Sequence, residues 1–322
     1  MFRVKDGHPY IPSIDLYLDA KKKQSFGFVS HAHSDHAAQH RRILCSKPTA
    51  ALLTARLKKV NVWTHLYDMP VDYQDSRITL YPAGHILGSA QILIENAQGR
   101  LLYTGDFRTR PSLTAEKFRQ VPCDTVIMES TFGLPHYRFP PREEVLDHLL
   151  SVINQKLEQG ITPVVFVYPL GKGQELLYSL SRAGIPLAVD QSIARLARIY
   201  EKFGVTFGKY DKFRRSEARS KVLLLPTAHR MQRFITELPE RYLIYMSGWG
   251  MDRSAKFRLR VDEVMPFSDH ADFNELVEFA ENSSAKEIFC THGFEQFASI
   301  LRRSGLNART LMQPPQLNLF ET

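Results

Sequence analysis

Ser30-His31-Ala32-His33-Ser34-Asp35-His36 places three histidines and a carboxylate directly after the apolar run Phe26 to Val29. On an extended segment the side chains of His31 and His33, two residues apart, point the same way, and Asp35 and His36 fall where a helix is expected to begin. One short loop of this kind can serve two adjacent metals. Imidazole nitrogen and carboxylate oxygen suit zinc and similar divalent ions, and metal sites that do chemistry keep a position open for water. A polar loop that is merely rich in histidine is the bland reading. It suits a lone histidine better than this spacing behind an apolar strand.

The 322 residues are enough for a large core and suggest about two domains. With 43% hydrophobic and 24% charged residues, the composition is that of a soluble globular protein. Cys45, Cys123 and Cys290 are scattered without C-x-x-C spacing, which fits reduced core thiols and not a disulfide frame or a zinc ribbon. The first residues lack an apolar signal core, and no run approaches the ~18 apolar residues of a membrane span. A cytoplasmic enzyme is expected. The net charge of +8 fits a polyanionic partner.

Upstream of the histidine loop, Ile11 to Leu18 reads as a strand ending at Asp19, with Asp15 four residues earlier; a carboxylate here can hold a ligand histidine through its second ring nitrogen. Asp35 to Ile43 reads as a helix, and Leu52 to Val60 as a second. After the strand Ile78 to Tyr81, the stretch Pro82-Ala83-Gly84-His85-Ile86-Leu87-Gly88-Ser89-Ala90 sets one histidine between glycines, which allow the close turns that push a side chain into a site. The apolar strand Leu101-Leu102-Tyr103 then ends in Thr104-Gly105-Asp106. Each signal alone is weak, since a strand-end aspartate is usually a turn residue.

Taken in order, Asp19, His31-x-His33-x-Asp35-His36, His85 and Asp106 resemble the metallo-β-lactamase fold. Glu129-Ser130-Thr131-Phe132-Gly133, Phe267-Ser268-Asp269-His270-Ala271-Asp272 and Thr291-His292-Gly293 resemble the β-CASP nuclease branch, and Glu129 to Pro141 with the SDHADF stretch is similar to bacterial ligase-associated DNA exonucleases. The resemblance runs from about residue 8 to 305. It implies an α/β, αββα sandwich core in residues 1–134 and 261–322, interrupted by a small α/β β-CASP domain at 135–260. It also implies two divalent metals, Zn²⁺ or Mn²⁺: His31, His33 and His85 on one, Asp35, His36 and His292 on the other, and Asp106 shared. Asp19 would orient a ligand histidine, and His270, paired with Glu129, would protonate the departing 3′-oxygen. One departure concerns the substrate. Eukaryotic β-CASP enzymes that act on DNA typically lack the last histidine, and His292 is present here.

In the middle segment, Glu143 to Gln159 sets Val145, Leu149, Val152, Ile153 and Leu157 on one helical face, and Gly160 ends it. The apolar strand Val164 to Tyr168 leads into Gly171-Lys172-Gly173-Gln174, a strand, glycine turn and helix start that can hold an anion. No G-x-x-x-x-G-K-[ST] is present, so nucleotide hydrolysis is rejected. Lys209, Lys212, Arg214, Arg215, Arg219 and Lys221, interleaved with Tyr210 and Phe213, are candidates for phosphate contact and base stacking; a solvated charged face is the bland alternative. The expected function is a single-strand DNA exonuclease of DNA repair that leaves 5′-phosphates and is linked to a DNA ligase. An RNA-processing nuclease of the same branch is the alternative, and a thioester or lactam hydrolase, which needs no basic second domain, is a distant third.

Overall fold

Six short strands open the chain, the exposed edge β1 (Arg3–Lys5), then β2 (His8–Ile11), β3 (Leu16–Leu18), β4 (Phe26–Phe28), β5 (Arg42–Ser46) and, after helix α1 (Lys47–Leu57), the partly buried β6 (Val62–His65). They pair in that order into one sheet, antiparallel from β1 to β3 and parallel from β3 to β6. This computed structural model describes residues 1–57, 59–215, 220–252 and 254–311.

A second sheet begins as a meander of β7 (Val71–Tyr73), β8 (Ser76–Pro82), β9 (Ala90–Asn96) and β10 (Gly99–Tyr103), and β11 (Thr125–Glu129) then joins β10 in parallel. The inward faces of the two sheets share a core in which Leu16, Phe28 and Leu44 meet Ile78, Ile92 and Leu101. Burial on both faces explains the apolar triplets Ile43-Leu44-Cys45 of β5 and Leu101-Leu102-Tyr103 of β10.

Residues Tyr137–Asp269 form a separate compact unit. It contains α2 (Arg142–Glu158), β12 (Thr162–Val167), α3 (Lys172–Arg182), β13 (Leu187–Val189), α4 (Gln191–Lys202), β14 (Asp211–Lys212), β15 (Val222–Pro226), α5 (Arg233–Thr236), β16 (Arg241–Met246), α6 (Ala255–Leu259) and β17 (Glu263–Met265). All six strands are parallel, in the order β14-β13-β15-β12-β16-β17. Apolar clusters cover both faces of this sheet.

From His270 the chain belongs to the first unit again. Helix α7 (Phe273–Asn282), β18 (Glu287–Thr291), α8 (Gln296–Arg303) and β19 (Ala308–Thr310) follow, and β18 and β19 extend the second sheet in parallel beyond β11. Leu276 and Phe279 of α7 and Phe297 and Leu301 of α8 pack with Leu93, Leu102, Val126 and Met128 on the outer face of that sheet. With α1 against β5 and β6, the first unit has helix, sheet, sheet and helix layers, the αββα order.

Three expectations are corrected. Asp35 to Ile43 is not a helix: residues 37–40 are irregular, and Arg42 to Ser46 is a strand. The His40 ring is packed where a Cβ on Gly27 would stand and accepts a hydrogen bond from Gln24 N, so tertiary contacts override the local preference of Ala37-Ala38-Gln39. The next helix covers Lys47–Leu57 and not Leu52 to Val60. The inserted segment, expected at 135–260, forms a unit that ends at Asp269, because β17 pairs with β16 instead of joining the core.

Candidate metal centre

Sheet ends deliver the site. Asp19 follows β3, the histidine loop follows β4, His85 lies between β8 and β9, Asp106 follows β10, Glu129 ends β11, and His292 follows β18. Asp19 and His292, at φ 45° and 53°, hold the left-handed conformation that costs a non-glycine residue energy and that clusters at functional sites. At Gly105 (φ 56°), a Cβ would stand 2.5 Å from Ser30 Cβ. Only glycine lets the Asp106 loop lie this close to the histidine loop.

The candidate ligand atoms of His31, His33, His85 and Asp106 lie within 4.8 Å of one another, as do those of His36, Asp106 and His292. Asp106 stands between the groups, with Oδ2 3.1 Å from His36 Nε2 and 3.5 Å from His31 Nε2, and Oδ1 3.8 Å from His292 Nδ1. His85 Nε2 and His33 Nδ1 converge to 3.2 Å. Asp35 stands beside the second group, 3.6 Å from His36 Nε2, with its side chain partly exposed.

Asp19 is tied down on every side. It accepts hydrogen bonds from Ser30 N (2.7 Å), Ser30 Oγ (2.6 Å) and Tyr103 OH (2.9 Å), and it meets His36 Nδ1 at 2.8 Å. Asp15 lies elsewhere, accepting from Tyr10 OH and Ser25 Oγ. Ser30 Oγ also meets His31 Nδ1 at 2.9 Å, so one buried serine and one carboxylate orient two imidazoles. Ser30 and Tyr103 were not singled out from the sequence. A hydroxyl next to His31 and a tyrosine three residues before Asp106 were the available signals.

The residues fit a divalent metal on the chemistry of their donors. His31 Nε2, His36 Nε2 and Asp106 Oδ1 are buried with no hydrogen-bond partner among the described residues, an expensive arrangement unless a cation satisfies them. Burial disfavours a charge on His36, but Asp106, Asp35 and Asp19 outweigh it and hold that histidine well above its ordinary pKa. Burial likewise opposes ionisation of Asp106, and His36 and His270 outweigh it, holding the carboxyl well below the usual range. Burial, followed by His36 and His85, pushes His31 well below the ordinary value, which keeps a neutral imidazole suited to ligation.

His270 also approaches Asp106, with Nδ1 3.9 Å from Oδ2, and is distinguished by a closer partner. Its Nδ1 lies 3.0 Å from both oxygens of Glu129. Glu129 is itself fixed by Phe107 N (2.8 Å) and by the Thr131 hydroxyl. Ala271 N donates to Phe107 O at 2.7 Å, so the Asp106 and His270 loops are bound to each other. Glu275 adds a clamp by accepting from Thr109 N, Thr109 Oγ1 and Arg110 N.

Among the basic candidates, Lys172 forms an ion pair with buried Asp269 at 2.7 Å. Lys209, Lys212, Arg214 and Arg215 are exposed, and Arg219 lies outside the described residues. Tyr210 and Phe213 are half-buried, each packed against an apolar cluster, which anchors the basic run.

Residues 254–309 match the family model described as "RMMBL: Zn-dependent metallo-hydrolase RNA specificity domain". The chain is 41% identical over 315 residues to an Opitutus terrae protein named "Probable DNA ligase", an alignment that covers 96% of this chain and 31% of that protein. It is 29% identical over 267 residues to the Gallus gallus "5' exonuclease Apollo", across 79% of this chain and 55% of that protein. The chain is a metallo-β-lactamase-fold protein of the β-CASP branch. An Enterococcus faecalis V583 crystal structure of a protein of unknown function shares this fold, with TM-score 0.61 and 14% identity over 90% of the chain and 79% of that structure. The β-CASP chain thus spans about a third of the first relative and about half of the second. Among the described residues, no helix is long and apolar enough to cross a membrane.

Proposed function

We propose that this chain is a two-metal phosphodiesterase that degrades single-stranded DNA as an exonuclease of DNA repair and leaves 5′-phosphate products. The observation that carries the reading is Asp106, one buried carboxylate with a ligand group on either side. His31, His33 and His85 would hold one ion, Asp35, His36 and His292 the other, and Asp106 both, with Zn²⁺ or Mn²⁺ as the metal. Two such ions would supply Lewis acidity, an activated water and neutralisation of phosphate charge.

The chain's own residues do the rest. Asp19 and Ser30 fix the ring orientations of His36 and His31. Glu129 holds Nδ1 of His270, so the proton for the departing 3′-oxygen would be carried on Nε2. Lys209, Lys212, Arg214 and Arg215 would hold the strand through its phosphates, as would Lys172 if it exchanged Asp269 for a phosphate.

The name of the Opitutus terrae relative supports a functional link to DNA ligation, and that of the chicken relative supports exonucleolytic action. RNA is the second reading, favoured by the description of the matched family model. Matched 5′-labelled and 3′-labelled DNA and RNA oligonucleotides, incubated with the metal-loaded protein, test both. The proposal expects stepwise shortening of DNA to 5′-phosphorylated products. Preferential cleavage of RNA would replace DNA as the substrate, and no cleavage of either strand with Zn²⁺ or Mn²⁺ would remove the nuclease reading.

A further inference from the structure

The short helix α6 carries an arrangement opposite to that of the basic run. Phe257 is 79% exposed. Lys256 and Arg258 flank it, Arg260 follows one residue beyond Leu259, and all four side chains are exposed. Ala255 and Leu259 are buried, so the turn is anchored on one face and presents a phenyl ring among cations on the other. Arg260 ends the helix at φ 52°, a left-handed conformation that a non-glycine residue adopts at a cost.

No carboxylate occurs between Asp252 and Asp262, and both of these are engaged. Asp252 accepts from Tyr137 OH at 3.1 Å and lies 3.6 Å from Arg258, while Asp262 accepts from Leu243 N at 2.8 Å. Lys256 and Arg260 have no ion-pair partner among the described residues. An exposed ring whose helix neighbours are cations repels a basic partner and suits an anionic one. A single strand offers both an unstacked base and the phosphates beside it, which is the pairing such a surface matches.

We propose that Phe257 is a stacking platform for a base of single-stranded nucleic acid, with Lys256 and Arg260 holding the adjacent phosphates. This rests on the nuclease reading and extends it to a binding site outside the metal centre. It also separates two surfaces, since Tyr210 and Phe213 of the basic run are half-buried against apolar clusters whereas Phe257 stands in solvent.

The test is fluorescence anisotropy on the metal-loaded chain with cleavage-resistant phosphorothioate strands, one carrying bases and one abasic at its centre. Phe257→Ala should weaken binding to the base-bearing strand about 5- to 100-fold, as expected for loss of one stacked base, and should leave the abasic strand nearly unchanged. Phe257→Trp should retain wild-type affinity. Replacing Lys256 and Arg260 by glutamine should make the salt dependence shallower by about 0.7 per lost phosphate contact. Phe257→Ala with unaltered affinity for the base-bearing strand would overturn the proposal, as would an equal loss on both strands. Wild-type protein that still cleaves oligonucleotides in either case keeps the nuclease reading intact. A wild type that neither binds nor cleaves them defeats both. Because Phe257 contributes little buried area, an unchanged thermal midpoint confirms that its variants fold.

Discussion

Asp19 and Asp106 are both buried strand-end aspartates beside His36, yet their surroundings are opposite. Asp19 receives two hydrogen bonds from Ser30 and one from Tyr103 and holds the far nitrogen of His36, so its lone pairs are accounted for. Asp106 meets histidine nitrogens at 3.1–3.9 Å on both sides, and its Oδ1 has no hydrogen-bond partner among the described residues. A buried carboxylate with satisfied donors fastens structure, whereas one facing a ring of imidazoles is suited to bind a cation. The two late histidines differ in one partner: both reach Asp106, His270 Nδ1 at 3.9 Å and His292 Nδ1 at 3.8 Å, but only His270 is also held by the carboxylate of Glu129, at 3.0 Å.

Substitution of Asp106 is the strongest way to break the comparison. Asp106→Ala should reduce strand cleavage to background and release both ions, a larger loss than the roughly 10- to 100-fold fall in metal affinity expected for a residue that acts through a ligand. Cleavage rate and bound metal, measured on the same preparation, check it.

Next in size is His270→Ala. Metal content should stay near normal while the chemical step falls about 10²- to 10⁴-fold, the range for a positioned acid. The loss should largely disappear with a nitrophenyl phosphodiester, whose leaving group departs without a proton. His292→Ala should lose metal and fail on both substrates. Equal behaviour of the two variants would exchange or merge their roles.

Asp19→Asn sharpens the other side. It should weaken metal affinity by about 10- to 100-fold yet recover cleavage at high Zn²⁺, because the ligands remain. A titration of activity against free zinc separates this from a ligand loss, which saturating metal does not restore.

The smallest effect concerns His40, behind the site. Burial lowers its pKa to about 4 from the ordinary 6.5. As pH falls through 6.5 the unfolded chain takes up the proton first, so this stability is full above that value and declines toward pH 4. After allowance for screening, the loss is about 2 kcal/mol. Urea midpoints with zinc chelated should show wild type losing its advantage over His40→Gln between pH 6.5 and 4, and a constant difference would contradict the assignment.

The clustering of the histidine loop, His85 and Asp106 was legible because H-x-H-x-D-H, His85 and Asp106 carry their chemistry in residue type and spacing, and the fold was legible through the family resemblance that their order carries. Contacts between distant residues were not legible. His40 packs on Gly27 and replaces a helix with a loop, and Lys172 finds Asp269 97 residues later. The strand Glu263–Met265 is too short for its pattern to say which sheet receives it. Half-buried Tyr210 and Phe213 show the same limit, because alternation with cations does not determine which side of a strand or loop is buried.

The shared carboxylate is the central claim, and electron paramagnetic resonance of the Mn²⁺-loaded chain tests it most directly. Two ions that shared Asp106 would be spin-coupled, so the account predicts the multiline spectrum of a coupled pair at two equivalents of Mn²⁺ and its loss in Asp106→Ala. Uncoupled six-line signals in the wild type, or a coupled pair persisting in Asp106→Ala, would contradict it.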